Sequence, residues 1–251
     1  MKLYRCLAPY YERFMSHIDY EGEAEAVYRL LFQEHKINGR ILDVGAGSGG
    51  HLLPLAGMNI KVSGLDYSEE MIALLKKKLS EKHLANKLYT MDMREMSFEH
   101  TFDTIYCLGE TIHHLADIGE ANAFFRCAST ALKPGGILIF SWQEPDYFTE
   151  LLNCGDFYER HGDDYLLWSA ECLSEGDDAV DLHYTAFIHQ DNNNYERIRE
   201  THRLSVFQRR DLTRALKNMG FHRREDLEDL CFNDLLLNED TRHISVFEKT
   251  R

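Results

Sequence analysis

The stretch Ile41-Leu-Asp-Val-Gly-Ala-Gly-Ser-Gly-Gly50 decides the fold of this 251-residue chain. A short apolar segment runs directly into glycines, which is typical of a buried strand that turns sharply into a helix. Gly45, Gly47 and Gly50 fit the G-x-G-x-x-G of dinucleotide sites, while Gly49 also allows a tighter G-x-G-x-G. The helix start adds free N–H donors and a positive dipole end. By itself the loop leaves open which ligand it binds, or whether it is a turn without one.

Strand and helix patterns alternate along the chain after this loop, and a helix is predicted before it at residues 21–35. This alternation predicts an α/β fold, a doubly wound parallel sheet with helices on both faces. In such sheets ligands bind beyond the carboxyl ends of the strands. The predicted strands are residues 40–44, 61–65, 87–91, 104–108 and 136–142, and the intervening helices are residues 50–56, 69–81 and 119–132.

The alternation of strands and helices stops after Trp142, where three strand patterns follow one another with short polar turns between them. Consecutive strands joined in this way form an antiparallel meander, which cannot continue a parallel sheet. A helix at 208–220 and a strand at 242–249 then return to the core. We therefore expect a core of residues 1–143 and 208–251 and an inserted antiparallel β lid at 144–207. The three lid strands are predicted at residues 164–173, 179–190 and 195–207.

Two carboxylates stand where predicted strands end. Asp66 follows Gly45 by about 20 residues, a position from which a carboxylate can accept both hydroxyls of a ribose. Asp92 follows the third strand in Tyr89-Thr-Met-Asp-Met93. It could accept the exocyclic amine of an adenine with Met93 beside the ring, or it is an exposed loop residue.

Together these elements resemble the class I S-adenosylmethionine-dependent methyltransferases. The resemblance runs from about residue 19 to 140 and includes Phe102-Asp-Thr-Ile-Tyr106 and the turn Lys133-Pro-Gly-Gly136. It implies a Rossmann-like sheet of seven strands, mostly parallel, whose last strand at 242–249 runs antiparallel. The lid resembles that of bacterial small-molecule methyltransferases, the glycine N-methyltransferase-like and sugar-amine N-methyltransferase-like group.

The resemblance also implies S-adenosyl-L-methionine as cofactor. Gly45–Gly47 would lie near its methionine moiety, Asp66 at the ribose, and Asp92 and Met93 at the adenine. The whole expected cofactor-binding set is Tyr11, Asp43, Gly45, Ala46, Gly47, Asp66, Tyr67, Met71, Asp92, Met93 and Leu108.

Candidates for the acceptor side follow the fourth and fifth strands. The segment Leu108-Gly-Glu-Thr-Ile-His-His-Leu115 resembles a Gly-Asn-Ser turn of glycine N-methyltransferase-like enzymes, with Glu110 where Asn is usual. His113 or His114 could orient an acceptor or take its proton, or either is a packed or capping histidine. Tyr147 and Glu144 would suit a cationic or hydroxylated acceptor. The expected catalytic residues are His113, His114 and Tyr147, with no metal.

The composition of the chain indicates which classes of substrate and which cellular location to expect. The formal net charge is −14 and there is no long Lys/Arg run, which favours a small-molecule acceptor over a nucleic acid. The six cysteines show no paired spacing, which is typical of free thiols in a reducing compartment. No apolar run is long enough to span a membrane. We expect a cytoplasmic monomer or homodimer that acts on no membrane.

The expected reaction is in-line methyl transfer from S-adenosyl-L-methionine to a small acceptor, with a nitrogen acceptor favoured over an oxygen acceptor. A nicotinamide-dependent oxidoreductase would need the same loop and Asp66. It would normally also need a hydride-transfer site, often a Tyr/Lys pair or a second catalytic domain, and the sequence indicates neither. A non-catalytic cofactor-binding protein is the third alternative.

Overall fold

The computed structural model of the chain describes residues 4–172, 178–191, 194–224 and 242–250. Within these ranges the strands form two sheets, and helices cover the larger one. The strands are β1 (Ile41–Val44), β2 (Val62–Asp66), β3 (Leu88–Thr90), β4 (Phe102–Cys107), β5 (Leu132–Gln143), β6 (Phe157–His161), β7 (Asp164–Glu171), β8 (Ala179–His189), β9 (Tyr195–Ser205), β10 (Phe221–Arg223) and β11 (Arg242–Lys249). The helices are α1 (Tyr11–Phe14), α2 (Tyr20–Gln33), α3 (Leu52–Gly57), α4 (Glu69–Glu81), α5 (Ile118–Ala131), α6 (Pro145–Asn153) and α7 (Arg209–Asn218).

The larger sheet has seven strands in the order β10-β11-β5-β4-β1-β2-β3. Strands β1 to β5 run parallel, and β11 pairs antiparallel with both β5 and β10. The predicted doubly wound sheet, mostly parallel with an antiparallel last strand, is therefore confirmed.

Apolar side chains on both faces of this sheet explain its helical cover. Every residue of β1 is buried, as expected of a central parallel strand. One face packs against α5 and α7, through Phe124 and Leu216. The other face packs against α2, α3 and α4, through Leu30, Leu52 and Leu75. Because β1 to β5 run parallel, their carboxyl ends meet at one edge of the sheet.

The smaller sheet is antiparallel, in the order β6-β7-β8-β9, and it packs against residues 4–18, the N-terminal segment. Leu7 and Phe14 share an apolar cluster with side chains of this sheet. Glu200 on β9 accepts hydrogen bonds from the backbone N–H groups of Cys6 and Leu7. The N-terminal segment is thereby held on the smaller sheet.

Three elements differ from the sequence-based expectation. The inserted sheet has a fourth strand, β6, whose residues are only half-buried and exposed in turn, so no clear apolar alternation marks it. Strand β10 has three residues and depends on pairing with β11. Helix α6 begins at Pro145, in a stretch of the insert for which no helix was predicted. The predicted end of one lid strand, Leu173, lies outside the described residues.

The turn at Lys133-Pro-Gly-Gly136 belongs to the start of β5 rather than preceding it. Gly135 has φ of 72°, and the pairing with β4 shifts register between Phe102 and Thr104. No helix among the described residues combines the length and apolar character needed to cross a bilayer.

Candidate active site

The glycine loop lies between β1 and α3, at the carboxyl edge of the larger sheet. Gly45 and Gly47 have φ of 76° and 52°, in the left-handed region that favours glycine. A Cβ on Gly45 would lie 2.3 Å from Cγ2 of Thr111, whereas a Cβ on Gly47 would meet nothing within 4 Å. Gly45 therefore permits tight packing within the protein, and Gly47 faces open space.

That open space is a cavity of about 300 Å³, which we call the glycine-loop cavity. Its volume is at the lower end of the range for small-molecule sites. Of the expected cofactor-binding residues, all except Asp43 line it. The lining members are Tyr11, Gly45, Ala46, Gly47, Asp66, Tyr67, Met71, Asp92, Met93 and Leu108.

Asp66 closes β2 and holds the loop that faces it. Its Oδ2 accepts from Gly47 N–H at 2.8 Å and its Oδ1 from Ser68 N–H at 2.8 Å. Burial raises the pKa of Asp66, while these hydrogen bonds act to lower it. Each carboxylate oxygen can accept a second hydrogen bond. Asp66 can therefore bind a ligand hydroxyl from the cavity while fixing the glycine loop.

Asp92 also lines the cavity and is paired with Arg94. Its Oδ1 accepts from the backbone N–H of Arg94 at 2.8 Å and from Arg94 Nε at 2.9 Å. The side-chain hydrogen bonds from Arg94 lower the pKa of Asp92, so it is ionised. Arg94 also forms an ion pair with Glu120, and both residues line the cavity. Arg94 was not predicted, because nothing but its nearness to Asp92 marks it in the sequence.

Asp43 is the expected cofactor residue that the structure places elsewhere. It is buried in the middle of β1, and among the described residues nothing hydrogen-bonds to its Oδ2. Burial raises the pKa of Asp43 to about 7, although the charge of nearby His51 opposes this rise. Alternation along a strand sends Asp43 into the protein, whereas the loop glycines beyond it reach the cavity.

We expect Asp43 to make the stability of the protein fall with rising pH. Its folded-state pKa of about 7 exceeds the ordinary value of 3.8, so the folded state holds a proton that the unfolded state has lost. The free energy of unfolding should therefore decrease between about pH 3.8 and 7. The free energy of unfolding of wild type and Asp43→Asn is measured by denaturant titration at several pH values. Relative to wild type, the Asp43→Asn variant should be more stable above pH 7 than at low pH. An equal pH dependence in both proteins would contradict the raised pKa.

The residues of the glycine-loop cavity fit an adenosyl ligand with a methionine moiety. Gly47 and Gly109 both have positive φ, and a Cβ on either would meet no protein atom within 4 Å. Backbone thus faces the cavity from two loops without side chains in the way. The carboxylates of Asp66 and Asp92 line the cavity and can accept hydrogen bonds from ribose hydroxyls and an adenine amine, and Met71, Met93 and Leu108 supply apolar contacts.

A second cavity of about 340 Å³ adjoins the first, and we call it the aromatic cavity. It is enclosed by the N-terminal segment, by α6 and by the smaller sheet, through residues such as Phe14, Tyr147 and Trp168. Tyrosine rings form much of its wall. The residues that line both cavities, and so mark where they meet, are Tyr4, Tyr11, Tyr20, His51 and Gly109.

The polar side chains that line the aromatic cavity are those of tyrosines, glutamates, Trp168 and two histidines, His17 and His51. Burial raises the pKa values of Tyr4, Tyr11, Tyr20 and Tyr184, so these hydroxyls stay neutral and can donate hydrogen bonds. Among the described lining residues there is no Lys or Arg. The carboxylates that line it are Glu23, Glu110 and Glu159. The cavity therefore favours a cation with hydroxyl groups over an anion.

Glu110 has an unusual backbone conformation. It follows Gly109 with φ of 62°, a left-handed position that costs an ordinary residue about 1 kcal/mol or more. Its Oε1 accepts from Gln143 Nε2 at 3.0 Å and from the Tyr147 hydroxyl at 3.2 Å. These bonds hold the carboxylate in the wall of the aromatic cavity.

The three expected catalytic residues fall into different environments. Tyr147 lines the aromatic cavity, and His114 lines the glycine-loop cavity near the hydroxyl of Tyr4, at 3.4 Å. Burial, with the charges of His202 and His113, lowers the pKa of His114 to about 3. His113 lines neither cavity: its Nδ1–H donates to Ser205 O at 2.7 Å, and its Nε2 accepts from Gln143 N–H at 2.9 Å. Both ring nitrogens of His113 thus bind main chain, which leaves none for an acceptor.

Glu144 is likewise turned away from the acceptor side. Its Oε1 accepts from Arg209 Nη2 at 2.8 Å and lies 3.5 Å from His243 Nε2. It is not among the residues that line the aromatic cavity. The expectation that Glu144 could contact an acceptor is corrected by this pairing, which a sequence cannot reveal because Arg209 belongs to a distant helix.

Sequence reasoning missed the pair formed by Glu23 and His51. Glu23 Oε2 lies 2.5 Å from His51 Nε2, and both residues are buried, with 6% and 8% exposure. One signal was present, because Glu23 lies on the buried face of α2 with Val27 and Leu30. His51 directly follows the glycine loop.

Comparison with known proteins agrees with a cavity that binds an adenosyl ligand with a methionine moiety. A family model described as a methyltransferase domain matches residues 41–136. YqeM of Bacillus subtilis (strain 168), a candidate methyltransferase by name, is 28% identical over 220 residues, 87% of this chain and 86% of that protein. The dTDP-3-amino-3,6-dideoxy-alpha-D-glucopyranose N,N-dimethyltransferase of Streptomyces fradiae is 27% identical over 203 residues, 80% of this chain and 77% of that protein.

One solved structure shares the fold over nearly the whole length. An S-adenosylmethionine-dependent methyltransferase from Clostridium acetobutylicum ATCC 824 matches with a TM-score of 0.82 over 99% of both chains, at 20% identity. The matched domain at 41–136 contains the glycine loop, Asp66 and Asp92, which all line the glycine-loop cavity. S-adenosyl-L-methionine is accordingly the cofactor, and the oxidoreductase alternative is set aside. Residues 41–136 thus form a methyltransferase domain, and the chain is an S-adenosylmethionine-dependent methyltransferase.

Proposed function

We propose that the enzyme methylates the nitrogen of a small hydroxylated amine, of the sugar-amine type, held in the aromatic cavity. The observation that carries this proposal is the lining of that cavity, where neutral tyrosines stand with Glu23, Glu110 and Glu159 and no described Lys or Arg. An ammonium group is attracted to carboxylates and to aromatic faces. Relatives named as dTDP-amino-sugar N,N-dimethyltransferases support an amine on a hydroxylated ring.

The glycine-loop cavity is the proposed donor site. Gly45–Gly47 would receive the methionine moiety, Asp66 the ribose hydroxyls, and Asp92 with Met93 the adenine. Tyr11, Tyr67, Met71 and Leu108 would complete the walls, and Tyr67, which is 54% exposed, would lie at the rim. Asp43 is buried in β1 and would not contact the donor directly. When bound, S-adenosyl-L-methionine supplies an electrophilic methyl group on a sulfonium.

The chain's own contribution is alignment and exclusion of water. Tyr4, Tyr11 and Tyr20 line both cavities, so they can hold the two ligands against each other. Fixing two reactants in a productive orientation lowers the barrier of a displacement more than any single contact does. We therefore propose that these tyrosines position the acceptor nitrogen, and that Glu110 binds its positive charge.

We further propose that residues 1–143 and 208–251 form the donor-binding core, and residues 144–207 the insert that supplies the acceptor wall. Membership of β6 to β9 in a separate sheet supports this division. The net charge of −14 and the scattered cysteines support a cytoplasmic enzyme whose acceptor is not a nucleic acid.

A matched panel of acceptors tests the substrate class. Purified enzyme is incubated with S-adenosyl-L-methionine and an amino sugar, its dTDP-linked form, the corresponding sugar with hydroxyl in place of the amine, or glycine. Product mass and S-adenosylhomocysteine release are measured. Methylation of one or both amino sugars, with no reaction of the hydroxyl analogue or glycine, is expected. Transfer only to the hydroxyl analogue would overturn the preference for nitrogen, and transfer only to glycine would overturn the sugar-amine class of acceptor.

Glu110→Gln should weaken the acceptor side alone. The substitution keeps the side chain's size but removes the charge that would face the ammonium group, so we expect KM for the amine to rise about tenfold. The affinity for S-adenosylhomocysteine, measured by calorimetry, should stay the same. Glu171→Gln is the control, because Glu171 pairs with His183 away from both cavities. Equal KM values for wild type and Glu110→Gln would contradict this role.

A further inference from the structure

His51 lies where the glycine-loop cavity meets the aromatic cavity and lines both. Its Nε2 is 2.5 Å from Oε2 of Glu23, a residue of α2 that lines the aromatic cavity. Among the described residues, nothing hydrogen-bonds to Nδ1 of His51, which leaves that atom for a ligand. A histidine fixed by a carboxylate through one nitrogen and open at the other is the arrangement of a general base.

Other titratable side chains near the junction are less suited to accept a proton. Tyr4, Tyr11 and Tyr20 also line both cavities, but burial raises their pKa values, so they remain protonated. The imidazole of His114, with a pKa lowered to about 3, holds a proton only weakly.

Geometry excludes the remaining candidates at the junction. Glu110 and His17 line only the aromatic cavity, and His113 lines neither cavity. Among the described residues, His51 is the one that brings a basic nitrogen to both cavities.

We propose that His51, oriented by Glu23, is a catalytic residue that removes the proton from the acceptor's ammonium group before methyl transfer. This inference rests on the proposed amine acceptor. An ammonium nitrogen has no lone pair and cannot attack a methyl group, so a proton must leave first. The pair lies at the place where the acceptor nitrogen would have to be.

The proton transfer balances without any further reactant. One N–H bond of the ammonium breaks, its electron pair stays on the nitrogen as the nucleophilic lone pair, and an Nδ1–H bond forms on His51. The imidazolium produced is neutralised by the carboxylate of Glu23. The proton then passes to solvent, as the net release of one proton per methylation requires.

The charged and titratable groups around His51 come from several elements. Tyr20 and Glu23 face it from α2, with the Tyr20 ring 5.1 Å from the imidazole centroid, and Asp43 lies beneath it on β1. Tyr11, from the N-terminal segment, is 3.4 Å from the Tyr20 hydroxyl. Among these groups, the carboxylate of Glu23 is the one that hydrogen-bonds to His51, and it is placed to bind the imidazolium formed during the reaction.

The test compares two acceptors that differ in whether their nitrogen arrives protonated. One is an alkyl amino sugar, an ammonium ion at neutral pH, and the other is an aminooxy sugar of the same scaffold, which is neutral there. His51→Asn should lower kcat/KM for the amino sugar on the order of 10²-fold and change the aminooxy rate little. Glu23→Gln, which preserves the contact without the charge, should shift the ratio of the two rates in the same direction. The affinity for S-adenosylhomocysteine is measured by calorimetry for each variant.

His183→Asn is the matched control, because His183 also pairs with a glutamate, at 3.1 Å, but lines neither cavity. It should leave both acceptor rates unchanged. Equal losses for the two acceptors in His51→Asn and Glu23→Gln would show a structural role and overturn the inference. A lower donor affinity with an unchanged ratio would also overturn it, by assigning the pair to donor binding. Failure of wild-type enzyme to methylate any amine would instead overturn the proposed function, and the inference with it.

Discussion

Asp66→Ala should weaken the binding of S-adenosyl-L-methionine about a hundredfold. A hydrogen bond to a charged group contributes about 1.5–3 kcal/mol, and 1.4 kcal/mol corresponds to a tenfold change in affinity. Loss of the carboxylate removes the proposed ribose contacts and also the bond that Gly47 N–H donates at 2.8 Å. The glycine loop would then lose one of the contacts that fix its shape. Calorimetric titration with S-adenosylmethionine and S-adenosylhomocysteine measures the effect.

Asp66→Asn separates the two roles of this side chain. Its amide oxygen can still accept from one backbone N–H, so the loop is partly supported, but the charge toward the ribose is gone. We expect an affinity between those of wild type and Asp66→Ala. A folded Asp66→Ala variant with wild-type donor affinity would defeat the assignment of the glycine-loop cavity as the donor site.

His113→Ala should destabilise the protein by about 3–5 kcal/mol. His113 is fully buried and links β9 to the end of β5 through Ser205 O and Gln143 N–H. Truncation leaves both main-chain groups unpaired and removes a ring that packs against Phe148 and Phe207. The change in free energy of unfolding is obtained from urea denaturation followed by circular dichroism.

His114→Ala is the neighbouring control for this effect. The described contacts of His114 are a long bond to the Tyr4 hydroxyl at 3.4 Å and ring contacts with Tyr4 and His202. We expect a loss of about 1 kcal/mol, since no buried main-chain group is left unpaired. A His113→Ala protein as stable as His114→Ala would show that the two backbone bonds contribute little.

The core of the fold could be predicted because its signals are local. Each signal is contained in a few consecutive residues. This holds for the glycine loop, for each apolar strand, and for each carboxylate that directly follows a strand. Parallel strands of this kind bring their carboxyl ends together, so Asp66 and Asp92 could be assigned to one site from sequence order alone. The cap of α4 by Ser68, whose Oγ accepts from Met71 N–H at 3.2 Å, is local in the same sense.

The acceptor side could not be predicted to the same depth, because it depends on contacts between distant segments. His51 and Glu23 are separated by 28 positions, and Glu110 and Tyr147 by 37. The two adjacent histidines show the difficulty, since His113 binds main chain on both sides while His114 faces a cavity. Spacing alone cannot tell which of two neighbouring residues points inward in the short helical turn Thr111–His114.

The edges of the two sheets bear on how the protein behaves at high concentration. The larger sheet ends on both sides in three-residue strands, β3 and β10. In the smaller sheet, the long edge strand β9 carries the exposed charges Glu196, Arg197 and Arg199. Short or charged edges are poor templates for pairing with another chain. These three edges are thus poor sites for strand-by-strand aggregation, which suits the concentrated samples that calorimetry requires.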